Sequence, residues 1–190
     1  MGMAQPVPRF DTASYLAWEA EQFERHEFVD GEVYAMAGAG DEHNRIGGNL
    51  YVAVRSALRG TPCRTFMTDM KLYAATAGAF FYPDLFVTCD PRDFAVEANL
   101  MKRHPKLIVE TLSGSTGAYD RGRKFELYRS IEGLAEVMFV QTERRQVDLF
   151  RRNPADGLWV LHPASGSEVL RLDSLDLELP LDVVYEDVLA

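Results

Sequence analysis

Two apolar segments separated by a helical pattern constrain the fold more than any other feature of the chain. Residues 107–112 and 135–141 are rich in Leu, Ile, Val and Phe, as is typical of buried strands. Between them, Ser113-Gly114-Ser115-Thr116 offers N-cap residues for a helix that continues to about Ile131, where Gly133 ends it. This order of strand, helix and strand predicts a right-handed crossover in which the two strands are parallel.

The N-terminal part predicts a helix followed by a hairpin. Asp11 or Thr12 is a suitable N-cap for a helix that should end near Arg25. Asp30-Gly31 separates two short apolar runs, and this dipeptide adopts the positive φ angles of a tight hairpin turn. Residues 1–10 contain prolines and no apolar run, so we expect a flexible start.

A second helix and several strands complete the predicted core. Residues 41–58 predict a helix with Ile46, Leu50, Val54 and Leu58 on one face. Strands are predicted at residues 64–67, 70–73, 80–87, 146–150, 159–162 and 169–172, and a short helix at residues 181–189. Together these elements predict a mixed α/β fold, with a central mixed sheet flanked by helices in a single domain spanning residues 1–190.

Composition narrows the class of protein. Hydrophobic residues make up 47% and charged residues 26% of the chain, which is ordinary for a folded globular protein. Cys63 and Cys89 have no flanking residues at metal-ligand spacing, so they indicate neither a disulfide framework nor a zinc site, and we expect a cytoplasmic protein. No segment approaches the roughly 18 apolar residues of a membrane span.

Two carboxylates stand out because of their apolar surroundings. Glu110 interrupts a run that predicts an inner strand, where an unpaired carboxylate would be costly to bury. Asp84 follows Pro83 and opens another apolar run; taken alone, it is more simply a turn aspartate. If the two strands are neighbours, Asp84 and Glu110 form an oxygen site of the kind that Mg²⁺ or Mn²⁺ prefers.

Lys124 is the cation that could complete such a site. Stepping back three strand residues from the end of the strand covers about 10 Å, and eight residues of the following helix cover about 12 Å. The helix therefore brings Lys124 level with Glu110. The equally simple alternative is an exposed i,i+4 pair between Lys124 and Asp120.

Several of these residues occur in segments that resemble a known family. The segments are Pro83-Asp84, Glu110 within Ile-Val-Glu-Thr-Leu-Ser, Ser115-Thr116 through Tyr119-Asp120 and Lys124 to Tyr128, and the Glu27-Phe-Val-Asp-Gly-Glu hairpin. They resemble the Uma-type restriction endonucleases, small bacterial members of the PD-(D/E)xK nuclease superfamily. The resemblance covers about residues 15–152.

The resemblance implies a restriction-endonuclease-like core and assigns roles to four residues. Asp84 and Glu110 would be metal ligands, Lys124 a relocated catalytic lysine, and Glu27 an accessory acidic residue. The position two residues after the glutamate, where the superfamily usually has its lysine, is Leu112 in this chain.

Other polar residues near these segments have simpler interpretations. For Glu27, a solvated strand position is as reasonable as a role in the site. His43 is more simply a capping or surface histidine, and Tyr119 and Tyr128 are more simply packing residues. Asp120 either orients Lys124 or pairs with it.

The sequence leaves three functions open, of which the third is a different metal-dependent hydrolase acting on nucleotides or another phosphoester. The first is a Mg²⁺- or Mn²⁺-dependent endonuclease acting on DNA, for which a homodimer would allow both strands to be cut. The second is a catalytically silent module on the same fold that binds nucleic acid or protein, which the net charge of −9 favours. Basic residues do cluster locally, at positions 121–129, 144–145 and 151–152, and a ligand responds to the local field.

Overall fold

The computed structural model describes residues 10–36, 38–112 and 119–188 of the chain. Its strands are, in chain order, β1 (His26–Val29), β2 (Glu32–Ala35), β3 (Arg64–Met67), β4 (Lys71–Ala74), β5 (Ala79–Phe81), β6 (Leu85–Thr88), β7 (Met101–Lys102), β8 (Pro105–Leu112), β9 (Glu136–Gln141), β10 (Gln146–Arg152), β11 (Trp159–Ser165), β12 (Val169–Leu172) and β13 (Leu177–Pro180). The helices are α1 (Thr12–Glu19), α2 (Asp41–Ala57), α3 (Phe125–Tyr128), which continues a π-helical segment at Asp120–Lys124, and α4 (Leu181–Val184). Short 3₁₀ turns occupy Pro91–Phe94, Val96–Ala98 and Asp173–Leu175.

The strands form two larger sheets and one two-stranded ribbon. The five-stranded sheet has the order β2-β1-β5-β4-β7, and the six-stranded sheet has the order β11-β10-β9-β8-β6-β3. In the six-stranded sheet β8 and β9 are parallel, while β6 and β8 are antiparallel. The ribbon pairs β12 with β13.

Three apolar clusters hold these layers together. One lies between the two sheets and α3 and includes Phe81, Ile108 and Tyr128. A second packs α2 and the C-terminal elements against the opposite face of the six-stranded sheet. A small third cluster packs Tyr15 of α1 against the outer face of the five-stranded sheet. Successive residues of β8 therefore face different cores, as the two-residue period of a strand requires.

The structure confirms the fold class and its main determinants. Asp30 and Gly31 both have positive φ angles, 53° and 85°, in the predicted hairpin turn. The apolar face predicted for α2 is buried in the second cluster. The parallel pairing of β8 with β9 agrees with the predicted crossover.

Several boundaries differ from the sequence prediction. The segment predicted as one strand at residues 80–87 is two strands, β5 and β6, which belong to different sheets. Pro83 lies between them and lacks the N–H that a continuous ladder would need. The first helix ends at Glu19 instead of near Arg25, because the Glu19 carboxylate turns inward and accepts the His26 N–H at 3.1 Å. Strands β7 and β13 were not predicted.

Two predicted features lie outside the described residues. These are most of the flexible start at residues 1–10 and the N-cap segment Ser113–Thr116. The final short helix ends earlier than predicted, at Val184. Within residues 10–36, 38–112 and 119–188, no helix combines the length and apolarity needed to cross a lipid bilayer.

The expectation that the two cysteines form no disulfide is wrong for this structure. Cys63 and Cys89 are disulfide-bonded, with their Cα atoms 3.9 Å apart. The cause is strand register: Arg64 pairs with Thr88 in the β3–β6 ladder, so the preceding and following residues are opposite each other. Sequence spacing alone does not disclose this register.

We predict that the disulfide stabilises the fold. It closes a loop across a sequence separation of 26 residues, and the chain-entropy relation assigns such a loop about 3.5 kcal/mol. The Cys63→Ala/Cys89→Ala variant should therefore lose about that free energy of unfolding, measured by urea denaturation of oxidised protein. Dithiothreitol reduces the disulfide and should remove most of the difference in the free energy of unfolding between wild type and variant. Equal midpoints for oxidised and reduced wild type would contradict the prediction.

Candidate functional site

Glu110 lies near the end of β8, on the face directed toward the core between the two sheets. Its neighbours on that face, Ile108 and Leu112, are buried in that core. Glu110 itself is only 5% exposed. A carboxylate in this position requires polar partners, because an isolated charge in an apolar core is strongly unfavourable.

Asp84 is adjacent to Glu110 across the β6–β8 pair. Leu85 pairs with Val109 in the antiparallel register, so the next step along both strands brings Asp84 opposite Glu110. The Asp84 carboxylate accepts the Thr111 backbone N–H at 2.6 Å. Because β6 begins at Leu85, it provides no backbone partner for Thr111 of β8. The Asp84 side chain accepts the Thr111 N–H in place of that partner.

Lys124 lies between two of the carboxylates. Its Nζ is 2.9 Å from Glu110 Oε1 and 2.8 Å from Glu27 Oε1, and 3.8 Å from Asp120 Oδ1. The Lys124 side chain is 7% exposed, so the alternative of an exposed Lys124–Asp120 pair does not describe this structure. Asp120 is buried as well and belongs to the same cluster.

Glu27 reaches this cluster because of strand alternation in β1. Glu27 and Val29 face the core between the sheets, whereas Phe28 faces the α1 side. The Glu27 carboxylate also accepts the Tyr82 backbone N–H at 3.3 Å. The solvated position considered for Glu27 is therefore wrong, since the residue is 8% exposed.

Two further residues contact the carboxylates, although the sequence alone favours a surface or capping role for His43 and a packing role for Tyr128. His43 Nε2 is 3.1 Å from Asp84 Oδ2, and the Tyr128 hydroxyl donates to Glu110 Oε1 at 2.5 Å. In each case the helical spacing of the sequence indicates that the side chain lies on the same face as a buried residue. His43 precedes Ile46 by three residues on the buried stripe of α2, and Tyr128 follows Lys124 by four residues.

The cluster carries more negative than positive charge. Burial raises the pKa of Glu110 to about 8; Lys124 opposes this rise, whereas Asp84, Glu27 and Asp120 add to it. Burial alone would lower the pKa of the Lys124 amine, but Glu110, Glu27 and Asp120 raise it above its ordinary value. The hydrogen bond to Asp84 raises the pKa of His43. Lys124 therefore stays protonated, and it does not compensate all the carboxylates around it.

The donor chemistry of this cluster fits a divalent cation. Asp84 directly precedes β6 and lies opposite Glu110 of the adjacent strand β8, and Mg²⁺ is commonly bound by one or two carboxylates with water completing its shell. The uncompensated negative charge is a second point of agreement. Among the described residues no group of three or more His, Cys, Asp or Glu side chains is arranged to hold a metal ion, so any ion here would depend on two protein carboxylates and water.

Other buried acids are accounted for by structural contacts. Glu136 is fully buried and binds Arg151 Nε at 2.8 Å and the Asp173 N–H at 3.1 Å. Asp93 accepts the N–H groups of Arg103 and His104. These carboxylates join loops to strands, and sequence reasoning did not single them out.

Comparisons with known proteins agree with one another. The family described as "Uma2: Putative restriction endonuclease" matches residues 12–183. Two proteins of Synechocystis sp. are similar over most of their length: "Uncharacterized protein slr1290", 37% identical over 95% of this chain and 93% of its own, and "Uncharacterized protein sll1609", 31% identical over 81% and 86%. A crystal structure from Anabaena variabilis, described as a putative nuclease belonging to DUF820, superposes with a TM-score of 0.80 at 14% identity, over 95% of this chain and 99% of that one. At this identity the superposition establishes the fold alone.

We predict that Lys124 is required for stability as the counter-charge of the buried carboxylates. Lys124→Met should cost about 3–5 kcal/mol of unfolding free energy, because removing one partner leaves buried charges uncompensated. Adding Glu110→Gln to Lys124→Met should recover part of this loss. Urea unfolding of the four proteins in this double-mutant cycle measures both effects.

Arg123→Met is the matched control for Lys124→Met. Arg123 lies on the same helical segment, but its ion pairs with Asp30 and Glu126 are exposed, so its loss should cost no more than about 1 kcal/mol. Equal losses for the two variants would contradict the assigned role of Lys124.

Proposed function

Because the chain belongs to the Uma2 family of "Putative restriction endonuclease" proteins, we propose that it is a divalent-metal-dependent endonuclease that hydrolyses DNA phosphodiester bonds. The observation that carries the proposal is the buried cluster of Asp84, Glu110, Glu27 and Lys124. Lys124 Nζ lies within 3 Å of two buried carboxylates, and a third carboxylate, Asp84, lies opposite Glu110. Buried charged groups whose pKa values are shifted by one another concentrate at functional sites.

Asp84 and Glu110 would hold the ion, which we propose to be Mg²⁺ or Mn²⁺. When bound, such an ion polarises a phosphodiester and lowers the pKa of an attacking water. Glu27, whose Oε1 is 2.8 Å from Lys124 Nζ, would be an accessory acidic residue.

The residues around the carboxylates would hold them in position. The Tyr128 hydroxyl fixes Glu110 through its hydrogen bond, and His43 and the Thr111 N–H both hold Asp84 Oδ2. Lys124 keeps its proton at Nζ because the surrounding carboxylates raise the pKa of its amine. A protonated amine next to the scissile phosphate stabilises the negative charge that develops there.

Plasmid cleavage tests the proposal directly. Purified protein should nick or linearise supercoiled DNA with Mg²⁺ or Mn²⁺ and not with EDTA. Asp84→Ala and Glu110→Ala should each reduce the rate more than about 100-fold, since even the loss of groups that only orient metal ligands costs 10–100-fold. Glu178→Ala, which removes an exposed carboxylate from β13, should keep wild-type activity. Cleavage that persists in both site variants would eliminate the proposal.

A catalytically silent binding module is the second candidate. It is favoured by the net charge of −9 and by the contact of Lys124 with Glu110 Oε1, which partly neutralises one of the two proposed metal ligands. On this alternative the cluster has a structural role and the fold presents a binding surface.

Calorimetric titration of Mn²⁺ separates the two candidates. The nuclease proposal predicts a binding heat in wild type and Glu178→Ala that Glu110→Ala abolishes. Absence of any binding heat in wild type, together with absence of cleavage, would leave the silent module. A homodimer in which each copy cuts one strand stays a prediction, which sedimentation equilibrium can test.

A further inference from the structure

A basic groove of about 970 Å³ lies along the exposed edge of the six-stranded sheet. It is bounded by the C-terminal end of α2, by the edge strand β3, and by the 3₁₀ turns between β6 and β7. Four basic residues line it, Arg55, Arg59, Arg64 and Lys102, and no acidic residue is among the described residues of its lining. In a chain with a net charge of −9, this is a local reversal of sign.

The arginines of this groove differ from the basic clusters that the sequence suggested. Within the described part of the chain, Arg55, Arg59 and Arg64 form no ion pair. By contrast, four arginines of those clusters form ion pairs with carboxylates. The pairs are Arg121 with Asp148, Arg123 with Asp30, Arg145 with Asp182 and Arg151 with Glu136. Arg129, Arg144 and Arg152 of those clusters also form no ion pair with a described residue. What distinguishes the groove is that its three unpaired arginines line one cavity whose described lining contains no carboxylate to compete for them.

The wall of the groove is built from fixed side chains. The Arg64 guanidinium lies 4.1 Å from the centre of the Phe94 ring. Lys102 is buried and donates to the carbonyl oxygens of Asp93 and Ala98, which holds the 3₁₀ turns in place. Thr65 also lines the groove, and its buried hydroxyl oxygen has no hydrogen-bond partner among the described residues.

Strand register and helix length give the separation between the groove and the carboxylate cluster. In the β3–β6 ladder Met67 pairs with Leu85, next to Asp84, and Arg64 pairs with Thr88; three residues of strand span about 10 Å. On α2, His43 contacts Asp84, and Arg55 comes twelve residues later, about 18 Å along the helix axis. Successive phosphates of one DNA strand rise about 3.4 Å, so these distances correspond to about three to five nucleotides.

We infer that this groove binds the phosphodiester backbone of a nucleic-acid strand about three to five nucleotides from the carboxylate cluster. The inference rests on the proposed function for the identity of the ligand. Arg55, Arg59 and Arg64 contact phosphates, and the groove supplies the basic surface that the net charge of the chain otherwise lacks. A groove of this volume is much larger than a single inorganic anion needs, and its cations are spread along it.

The test compares two pairs of arginine substitutions. Arg55→Ala/Arg59→Ala removes two groove cations. Arg144→Ala/Arg152→Ala removes the same charge from the turn before β10 and from its last residue, and β10 is four strands away from β3. Fluorescence anisotropy with labelled single-stranded and double-stranded oligonucleotides, in EDTA, measures binding without cleavage. Circular dichroism verifies that each variant is folded.

The groove pair should weaken binding on the order of tenfold near 0.1 M salt. It should also reduce the slope of log affinity against log salt by about 1.4 for single strands or about 1.8 for duplex, because each phosphate contact contributes about 0.7 or 0.9. The control pair should change both quantities less. Wild-type protein that binds neither oligonucleotide, or groove and control pairs with equal effects, would overturn the inference.

Two competitors test other occupants of the groove. Displacement of the oligonucleotide by hexaglutamate or by inorganic phosphate at equal charge concentration would overturn the assignment to a nucleic-acid strand. Binding that depends on Arg55 and Arg59 supports the inference even if the plasmid assay shows no cleavage. Cleavage with unchanged binding removes the inference and leaves the nuclease proposal intact.

Discussion

The structure depends on the attraction between the buried ammonium group of Lys124 and the carboxylates that surround it. A buried cation and several buried anions are tolerated only together, since the desolvation of each is offset by the others. Lys124 also connects three parts of the chain, because its partners come from the hairpin strand β1, the inner strand β8 and its own helical segment. The two sheets and the helix are thus joined by a buried charged cluster in addition to apolar packing, whereas the ion pairs of Arg121 with Asp148 and of Arg123 with Asp30 join them nearer the surface.

The chain passes from the five-stranded sheet to the six-stranded sheet between β5 and β6, and this link determines which groups meet in the cluster around Lys124. Tyr82, Pro83 and Asp84 form the link between β5 and β6, and each contributes differently. Tyr82 donates its backbone N–H to Glu27 and its hydroxyl to Glu19. Pro83 interrupts the ladder, and Asp84 satisfies the β8 amide left without a strand partner. A short link with no regular structure therefore brings acids from both sheets into one cluster.

Sequence patterns could predict the parts of this arrangement that depend on local periodicity. The crossover, the Asp-Gly turn and the burial of Glu110 all follow from residues close together in the chain. The contacts of His43 with Asp84 and of Tyr128 with Glu110, and the Cys63–Cys89 pairing, depend on register between distant segments. Local patterns do not fix such registers. The basic groove was missed for the same reason, since Arg55 and Arg64 come from different elements and neither belongs to a run of basic residues.

Because Lys124 is carried by a helix, its alignment depends on rotational phase and not on its count of residues from Glu110. Lys124 ends the π-helical segment Asp120–Lys124, and successive residues of a helix point in different directions, so a one-residue insertion between Asp120 and Lys124 would direct the amine away from the carboxylates. Length changes before the helix begins would leave that phase intact. Related sites should therefore be sought in other sequences by helical stripes of Asp, Lys and Tyr at four-residue intervals, with the gap from the strand glutamate left free to vary.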